Sequence, residues 1–192
     1  MRLLALLFTV LFLAGCGINN VPTYEEQAKA KWADVQAQYQ RRVDLIPNLV
    51  ATVKGFAAQE KEVLTEVTQA RAQATQVNIS AQTVTDPAAF AQFQEAQGRL
   101  STGLGRLLAI AENYPTLKSN QNFLSLQSQL EGTENRIAVA RRDYNEAVRV
   151  YNTELKTIPG KWWAKLMYPD AKPMELFTAT TEGADKAPAV SF

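Results

Sequence analysis

The chain has 192 residues, of which 46% are apolar and 20% are charged, and its formal net charge is +1. This is the composition of one globular domain with an ordinary core, and it excludes a disordered or collagen-like chain. Without residues 1–15, which include Arg2, the chain has 19 basic and 19 acidic side chains. The basic excess expected of a nucleic-acid-binding domain is therefore missing.

The first residues, MRLLALLFTVLFLAGC, have the pattern of a signal peptide that ends at a cysteine. Arg2 precedes an apolar run at 3–13, which is too short to span a bilayer because a spanning helix needs about 20 residues. Residues 13–16, LAGC, resemble a bacterial lipobox. The resemblance implies that Cys16, the only cysteine, is diacylglycerylated and that residues 1–15 are removed. An ordinary secretory signal that leaves a free thiol is the alternative.

The lipobox predicts a lipid-anchored protein that faces the periplasm or the extracytoplasmic space, since two or more acyl chains hold a protein on a membrane stably. Gly17 after the cysteine is similar to lipoproteins sorted to the outer membrane, so we expect a cell-membrane or outer-membrane location. Residues 16–23 would form the lipidated tether. With its one thiol modified, the mature domain has no disulfide and depends on packing.

A capping box at residues 23–26, TYEE, predicts that the first helix begins near residue 24. Two heptad-spaced seams then continue to residue 77, which corresponds to about 80 Å of helix at 1.5 Å per residue. The seams consist of Trp32, Tyr39, Ile46, Val53, Glu60, Val67 and Ala74, and of Val35, Arg42, Leu49, Phe56, Val63, Ala70 and Val77. Only Arg42 and Glu60 interrupt this apolar stripe.

Pro47 lies inside the first helical pattern. Its ring and its missing N–H should kink or end a helix. Because the heptad register is unbroken across the proline, we predict one helix that is kinked at Pro47. A turn at 44–48 that separates two helices is the alternative.

The second helix is predicted to follow a polar loop at 78–86. Asp86 is its expected N-cap, Pro87 is its first residue, and Tyr114-Pro115 ends it. Glycines weaken a helix by up to about 1 kcal/mol each relative to alanine, so we expect those in this helix to permit close helix approach. They are Gly98, Gly103 and Gly105.

A third helix is predicted from Ser119 or Asn120, as its N-cap, to Pro159-Gly160. The C-terminal segment, 161–192, has room for a short fourth helix at 161–168, followed by an irregular tail. The predicted fold is an all-α antiparallel bundle of three long helices, the first one kinked, with this short helix added.

Three stretches together resemble the LemA family of bacterial envelope proteins. They are QYQRRVDLIPNLVATVKGFAAQEKEVL at 38–64, AENYPTLKSNQNFLSLQSQLEGTENRIAVARRDYNEAV at 111–148 and VYNTELKTIPG at 150–160. The match covers essentially all of 24–160. The resemblance implies a helical bundle held at the membrane by its N-terminus, without an established enzymatic activity. The lipobox is a departure from the N-terminal transmembrane helix of many family members.

Missing residue types argue against an enzyme. The chain has no histidine, so it lacks Ser-His and Cys-His nucleophile pairs, the Glu-x-x-His helices of di-iron bundles and the usual zinc ligands. Neither GxxxxGK[ST] nor GxGxxG occurs in it. We therefore predict no catalytic residue, no metal site and no cofactor.

Four charged residues fall on the apolar stripes: Arg42 and Glu60 on the first predicted helix, and Glu134 and Arg141 on the third. We predict that arginine–glutamate pairs between helices form polar layers that fix register and topology. The alternative is that these side chains lie at the edge of the stripe and extend into water. A polar pocket for a small anion is a further functional version of the layer.

Two other features admit two interpretations each. Asn145 and Asn152 follow tyrosines one heptad apart, and their amides either bond to a neighbouring helix or are solvated. Trp162-Trp163, with Lys161 and Lys165, either covers the end of the bundle or lies at a membrane interface.

The predicted function is a structural or partner-binding scaffold of the cell envelope, without enzymatic activity. The second predicted helix, about 40 Å long, is too short to cover the first. The stripe from Trp32 to Ile46 would then be covered by the C-terminal segment, by a second copy in a homo-oligomer or by a protein partner. The alternative function is a membrane-active or lipid-handling envelope protein that uses the Trp162–Tyr168 cluster.

Overall fold

The computed structural model of the chain describes residues 17–77, 80 and 83–178. Within this part of the chain there are six α-helices joined by turns and short segments. They are α1 (Asn20–Phe56), α2 (Lys61–Gln76), α3 (Pro87–Ile110), α4 (Pro115–Lys118), α5 (Gln121–Lys156) and α6 (Gly160–Met167). Short 3-10 helices at Thr83–Thr85 and Ala111–Asn113 precede and follow α3.

The four long helices, α1, α2, α3 and α5, form an antiparallel bundle. On α5, Glu134 pairs with Arg42 of α1, and Tyr144 contacts Trp32, so residue numbers fall along α5 as they rise along α1. The predicted all-α antiparallel bundle is confirmed. The bundle has four long helices and not three because the predicted first helix is two helices.

The predicted continuous helix over 24–77 is wrong at one place. The structure ends α1 at Phe56, reverses the chain at 57–60 and returns it along α1 as α2. The reversal lets α2 bury Leu64 and Val67 in the same core as α1. Glu60, one of the two charged residues in the stripe, lies at the turn as the residue before α2.

Pro47 does not end α1, so the alternative of a turn at 44–48 is wrong. Proline has no N–H to donate to the carbonyl four residues before it, which is that of Val43. Arg71 on α2 donates its Nε–H to this carbonyl oxygen at 3.1 Å. The returning helix therefore supplies the hydrogen bond that the proline removes.

We expect Arg71→Met to lower the free energy of unfolding by about 1–2 kcal/mol, because it leaves the partly buried carbonyl of Val43 without this donor. In a Pro47→Ala background the alanine N–H can serve that carbonyl, so the same change should cost less. Urea unfolding of the four variants measures the coupling, with Arg106→Met as a control on an exposed ion pair. Equal costs of Arg71→Met in both backgrounds would contradict this account.

The helix starts are partly as predicted. Asp86 caps α3 through its carboxylate, and Asn120 caps α5 through its side-chain oxygen. The predicted capping box at residues 23–26 is wrong, because α1 begins at Asn20, one turn earlier. Burial of Val21 and a hydrogen bond from the Asn20 amide to Glu154 on α5 favour this earlier start.

Of the three glycines on α3, only Gly103 lies at a close helix contact. A Cβ on Gly103 would lie 3.3 Å from Cγ2 of Val67 on α2. A Cβ on Gly98 or Gly105 would have no described atom within 4 Å. The expected close approach of helices thus holds at one position.

Among the described residues the core forms two clusters, one at each end of the bundle. The proximal cluster, which contains the start of α1, comprises Val21, Ala28, Trp32, Val35, Tyr39, Val84, Phe90, Phe93, Ile137, Ala140, Tyr144, Val148, Tyr151, Met174 and Phe177. The distal cluster comprises Val43, Ile46, Leu49, Val53, Ala57, Leu64, Val67, Ala70, Ala74, Leu100, Leu104, Leu107, Ile110, Ala111, Leu117, Phe123 and Leu130. Residues 171–178, the C-terminal strap, are neither helix nor strand, and they close the proximal cluster through Met174 and Phe177.

Candidate functional site

A polar layer around Arg42 lies between the proximal and distal clusters. Tyr39 belongs to the first cluster and Val43 to the second, and Arg42 is only 1% exposed. On α3, Gln97 takes the same position between Phe93 and Leu100. The two clusters are therefore separated by polar side chains at one level of the bundle.

The guanidinium of Arg42 joins three helices. Its Nη1 donates to Ser101 Oγ at 2.8 Å on α3 and to Glu134 Oε1 at 3.0 Å on α5. Its Nη2 donates to the backbone and side-chain oxygens of Gln97. The guanidinium carbon also lies 4.9 Å from the centre of the Tyr39 ring. These contacts bring two of the four predicted stripe charges together, Arg42 and Glu134.

One side of the layer is open to solvent. The Glu134 side chain is 43% exposed, and a cleft of about 350 Å³ extends from it to Arg141 and Phe177. Burial raises the pKa of Tyr39, which also lines the cleft, so its hydroxyl stays neutral. The small-anion site stays a prediction. Glu134 and Gln97 already accept hydrogen bonds from the guanidinium that would bind the anion.

The other two predicted charges are in different places. The Glu60 carboxylate accepts a 2.7 Å hydrogen bond from the Tyr114 hydroxyl, and this bond raises the pKa of Tyr114. Arg141 lies over the Phe177 ring, 4.5 Å from its centre, and donates to the Thr178 carbonyl. Glu60 thus supports the turn before α2, and Arg141 holds the C-terminal strap.

Asn145 and Asn152 bind the C-terminal strap, so both predicted interpretations, a bond to a neighbouring helix and solvation, are wrong. The Asn152 amide donates to the Met174 carbonyl at 2.8 Å and accepts from the Met174 N–H at 3.0 Å. Asn145 makes the same pair of bonds with Phe177, both at 2.9 Å. The repeated asparagine in the sequence indicates this contact. The sequence of the strap itself has no regular pattern that indicates it.

The Trp162-Trp163 pair is divided between two environments. Trp162 is 63% exposed, whereas Trp163 is partly buried against the bundle. Ala164 and Tyr168 pack on the proximal cluster. The short predicted helix is confirmed as α6, and only part of its aromatic surface covers the end of the bundle.

Cys16, the predicted lipidation site, lies outside the described residues. Gly17 follows it with a φ of +100°, a conformation that favours glycine. A Cβ on Gly17 would lie 3.6 Å from Cγ of Pro159, so the chain enters the bundle beside the start of α6. None of the described helices is long and apolar enough to cross a bilayer.

Several known proteins are similar to this chain. Magnetosome proteins MamQ 1 and MamQ 2 of Paramagnetospirillum magneticum are each 27% identical over 162 residues, covering 76% of this chain and 60% of the relative. Protein LemA of Metamycoplasma hominis is 24% identical over 123 residues, covering 64% of this chain and 52% of the relative. The chain thus spans a little over half the length of these relatives.

A family model also matches the chain. The LemA family model matches residues 31–192, which include the four long helices from Lys31 onward, α6 and the strap. The resemblance noted in the sequence motifs agrees with this match. The chain therefore belongs to the LemA family.

Proposed function

We propose that this chain is a non-enzymatic, lipid-anchored protein of the cell envelope whose helical bundle is a scaffold for a protein partner. The observation that carries the proposal is the position of Gly17 beside Pro159 at one end of the bundle. A lipid on the neighbouring Cys16 would hold that end at the membrane surface. Membership of the LemA family supports an envelope location.

The opposite end of the bundle is the better candidate for the partner surface. α1 has 37 residues, so Phe56 lies about 55 Å along the helix from its start. Phe56 is 40% exposed and Leu124, at the start of α5, is 42% exposed. The stripe around Trp32, by contrast, is covered by Phe177 of the same chain. The far end therefore presents apolar side chains away from the anchored end.

Lipid handling is less well supported by the clefts. The cleft between α2 and α3 has a volume of about 610 Å³, and eight of the eleven residues that line it have polar or charged side chains. They include Glu66, Gln69, Gln73, Gln94, Glu95 and Arg99. An acyl chain needs an apolar lining, because burying unpaired polar groups against it costs free energy. We therefore favour the scaffold over the lipid-handling alternative.

A photo-crosslinking amino acid at Phe56 is expected to capture one defined protein, or a second copy of this chain, in intact cells. The matched control is the same amino acid at Val139, which is 45% exposed on the middle of α5.

The lipid anchor is tested in the same cells with labelled palmitate. The label should enter the wild-type chain and not the Cys16→Ser variant.

The two readouts separate the two parts of the proposal. Lipid as the only species captured at Phe56, or the same pattern at Phe56 and Val139, would contradict the scaffold. Equal palmitate labelling of wild type and Cys16→Ser, or none in either, would contradict the anchor.

A further inference from the structure

The outer face of α6 is apolar and exposed. Trp162 and Leu166 are 63% and 73% exposed, and their spacing of four residues places them side by side on the helix. Met167, the last residue of the helix, is 52% exposed, and Ile158, two residues before its first, is 65% exposed. The inner face is occupied, since Ala164 packs on the proximal cluster. Thus one face of α6 packs on the bundle, and its other, apolar face contacts no other part of the described chain.

Basic residues flank this face. Residues 156–169 contain three lysines and no acidic residue. Lys161 and Lys165 are exposed and lie next to Trp162 and Leu166 along the helix. Lysine next to exposed tryptophan and leucine is the composition of helices that lie in a membrane interface. A membrane leaflet rich in anionic lipid attracts such lysines.

The N-terminal end of the described chain lies close to the start of α6. Gly17 lies beside Pro159, the residue that immediately precedes α6. Cys16 precedes Gly17 in the chain. A lipid attached to Cys16 would therefore enter the bilayer close to the start of α6.

We propose that α6 is a second membrane contact, lying in the plane of an anionic phospholipid bilayer. Trp162 and Leu166 enter the boundary between headgroups and acyl chains, and Lys161 and Lys165 bind lipid phosphates. The inference rests on the proposed lipid anchor, which brings this end of the bundle to the surface. The two contacts together fix the orientation of the bundle, whereas an anchor alone would hold it at one point only.

The test uses the full chain, purified with its anchor and reconstituted into vesicles of phosphatidylcholine, with or without phosphatidylglycerol. Because the lipidated Cys16 thiol does not react, an environment-sensitive fluorophore is placed on Leu166→Cys or, as a matched control, on Val139→Cys. We expect the label at 166 to shift its emission to the blue, to be quenched by nitroxide-bearing lipid and to be protected from iodide. The label at 139 should be quenched by iodide only.

The lysines are tested with Lys161→Glu and Lys165→Glu combined, in the chain labelled at 166. We expect this chain to lose most of its quenching by nitroxide lipid in vesicles that contain phosphatidylglycerol. The assignment to anionic lipid would be contradicted if nitroxide lipid quenched the label at 166 equally in neutral and anionic vesicles, in the chain that keeps both lysines.

Flotation of the vesicles distinguishes failure of this inference from failure of the anchor. A protein that floats with its vesicles while the label at 166 is quenched by iodide, as at 139, would contradict the membrane contact of α6 alone. A protein that does not float would contradict the anchor and the placement of α6 together.

Discussion

Replacing Arg42 with alanine is expected to lower the free energy of unfolding by about 3–5 kcal/mol. The change removes a large, fully buried side chain and leaves a cavity between the two core clusters. It also leaves the buried side-chain oxygen of Gln97 without its donor. Urea unfolding followed by circular dichroism measures the loss. The control is Arg99→Ala, which breaks an exposed pair with Glu95 and should change stability by no more than about 0.5 kcal/mol.

Arg42→Met separates the contribution of packing from that of the polar layer. Methionine keeps most of the side-chain volume, so no large cavity forms, but it leaves the buried side-chain oxygen of Gln97 without a donor, as alanine does. We expect a loss of about 1–3 kcal/mol, smaller than that of Arg42→Ala, and a less uniquely packed bundle, because no arginine then fixes the level of α3 and α5 on α1. Broadened amide resonances and faster hydrogen exchange around Gln97 would show this. If the Arg42→Met chain had unchanged stability and an unchanged spectrum, a role of the layer in specificity would be contradicted.

The helix ends that depend on local chemistry could be predicted from the sequence. Asp86 and Asn120 cap their helices because an oxygen acceptor is needed at that position whatever the tertiary fold. The reversal at 57–60 could not be found by periodicity. When two antiparallel helices bury the same seams in one core, their heptad pattern in the sequence is the same as that of one long helix. The capping box at residues 23–26 failed because tertiary packing of Val21 extended α1 beyond it.

The polar layer was partly visible in the sequence for a related reason. Charges on an apolar stripe indicate burial, and this signal identified Arg42 and Glu134. Gln97 also interrupts a stripe, and the same argument could have included it. Ser101 lies beside the stripe and had no signal. Which charged residues pair depends on the level at which two helices meet, and the sequence does not show the reversal before α2. The partners of Glu60 and Arg141 therefore could not be predicted.

The C-terminal strap is the part of the fold that had the least signal, and Phe177 is its main anchor. The ring contacts Trp32, Phe90, Phe93 and Tyr144, with centroid separations of 5.0–6.4 Å. Arg141 lies over its face. Phe177→Ala is expected to lower the free energy of unfolding by about 3–5 kcal/mol, the usual cost of removing a buried aromatic ring.

The control for Phe177→Ala is Leu176→Ala, the adjacent position, which is 39% exposed and should cost less than about 1 kcal/mol. Urea unfolding gives the stability, and hydrogen exchange reports the amides of Met174 and Phe177, which the asparagines of α5 hold. We expect the Met174 amide to exchange faster in Phe177→Ala because the ring, more than the hydrogen bonds, keeps water from this segment. Equal stability and equal exchange in the two variants would mean that the asparagines alone hold the strap. The proximal cluster would then be closed mainly by the polar contacts between α5 and the strap.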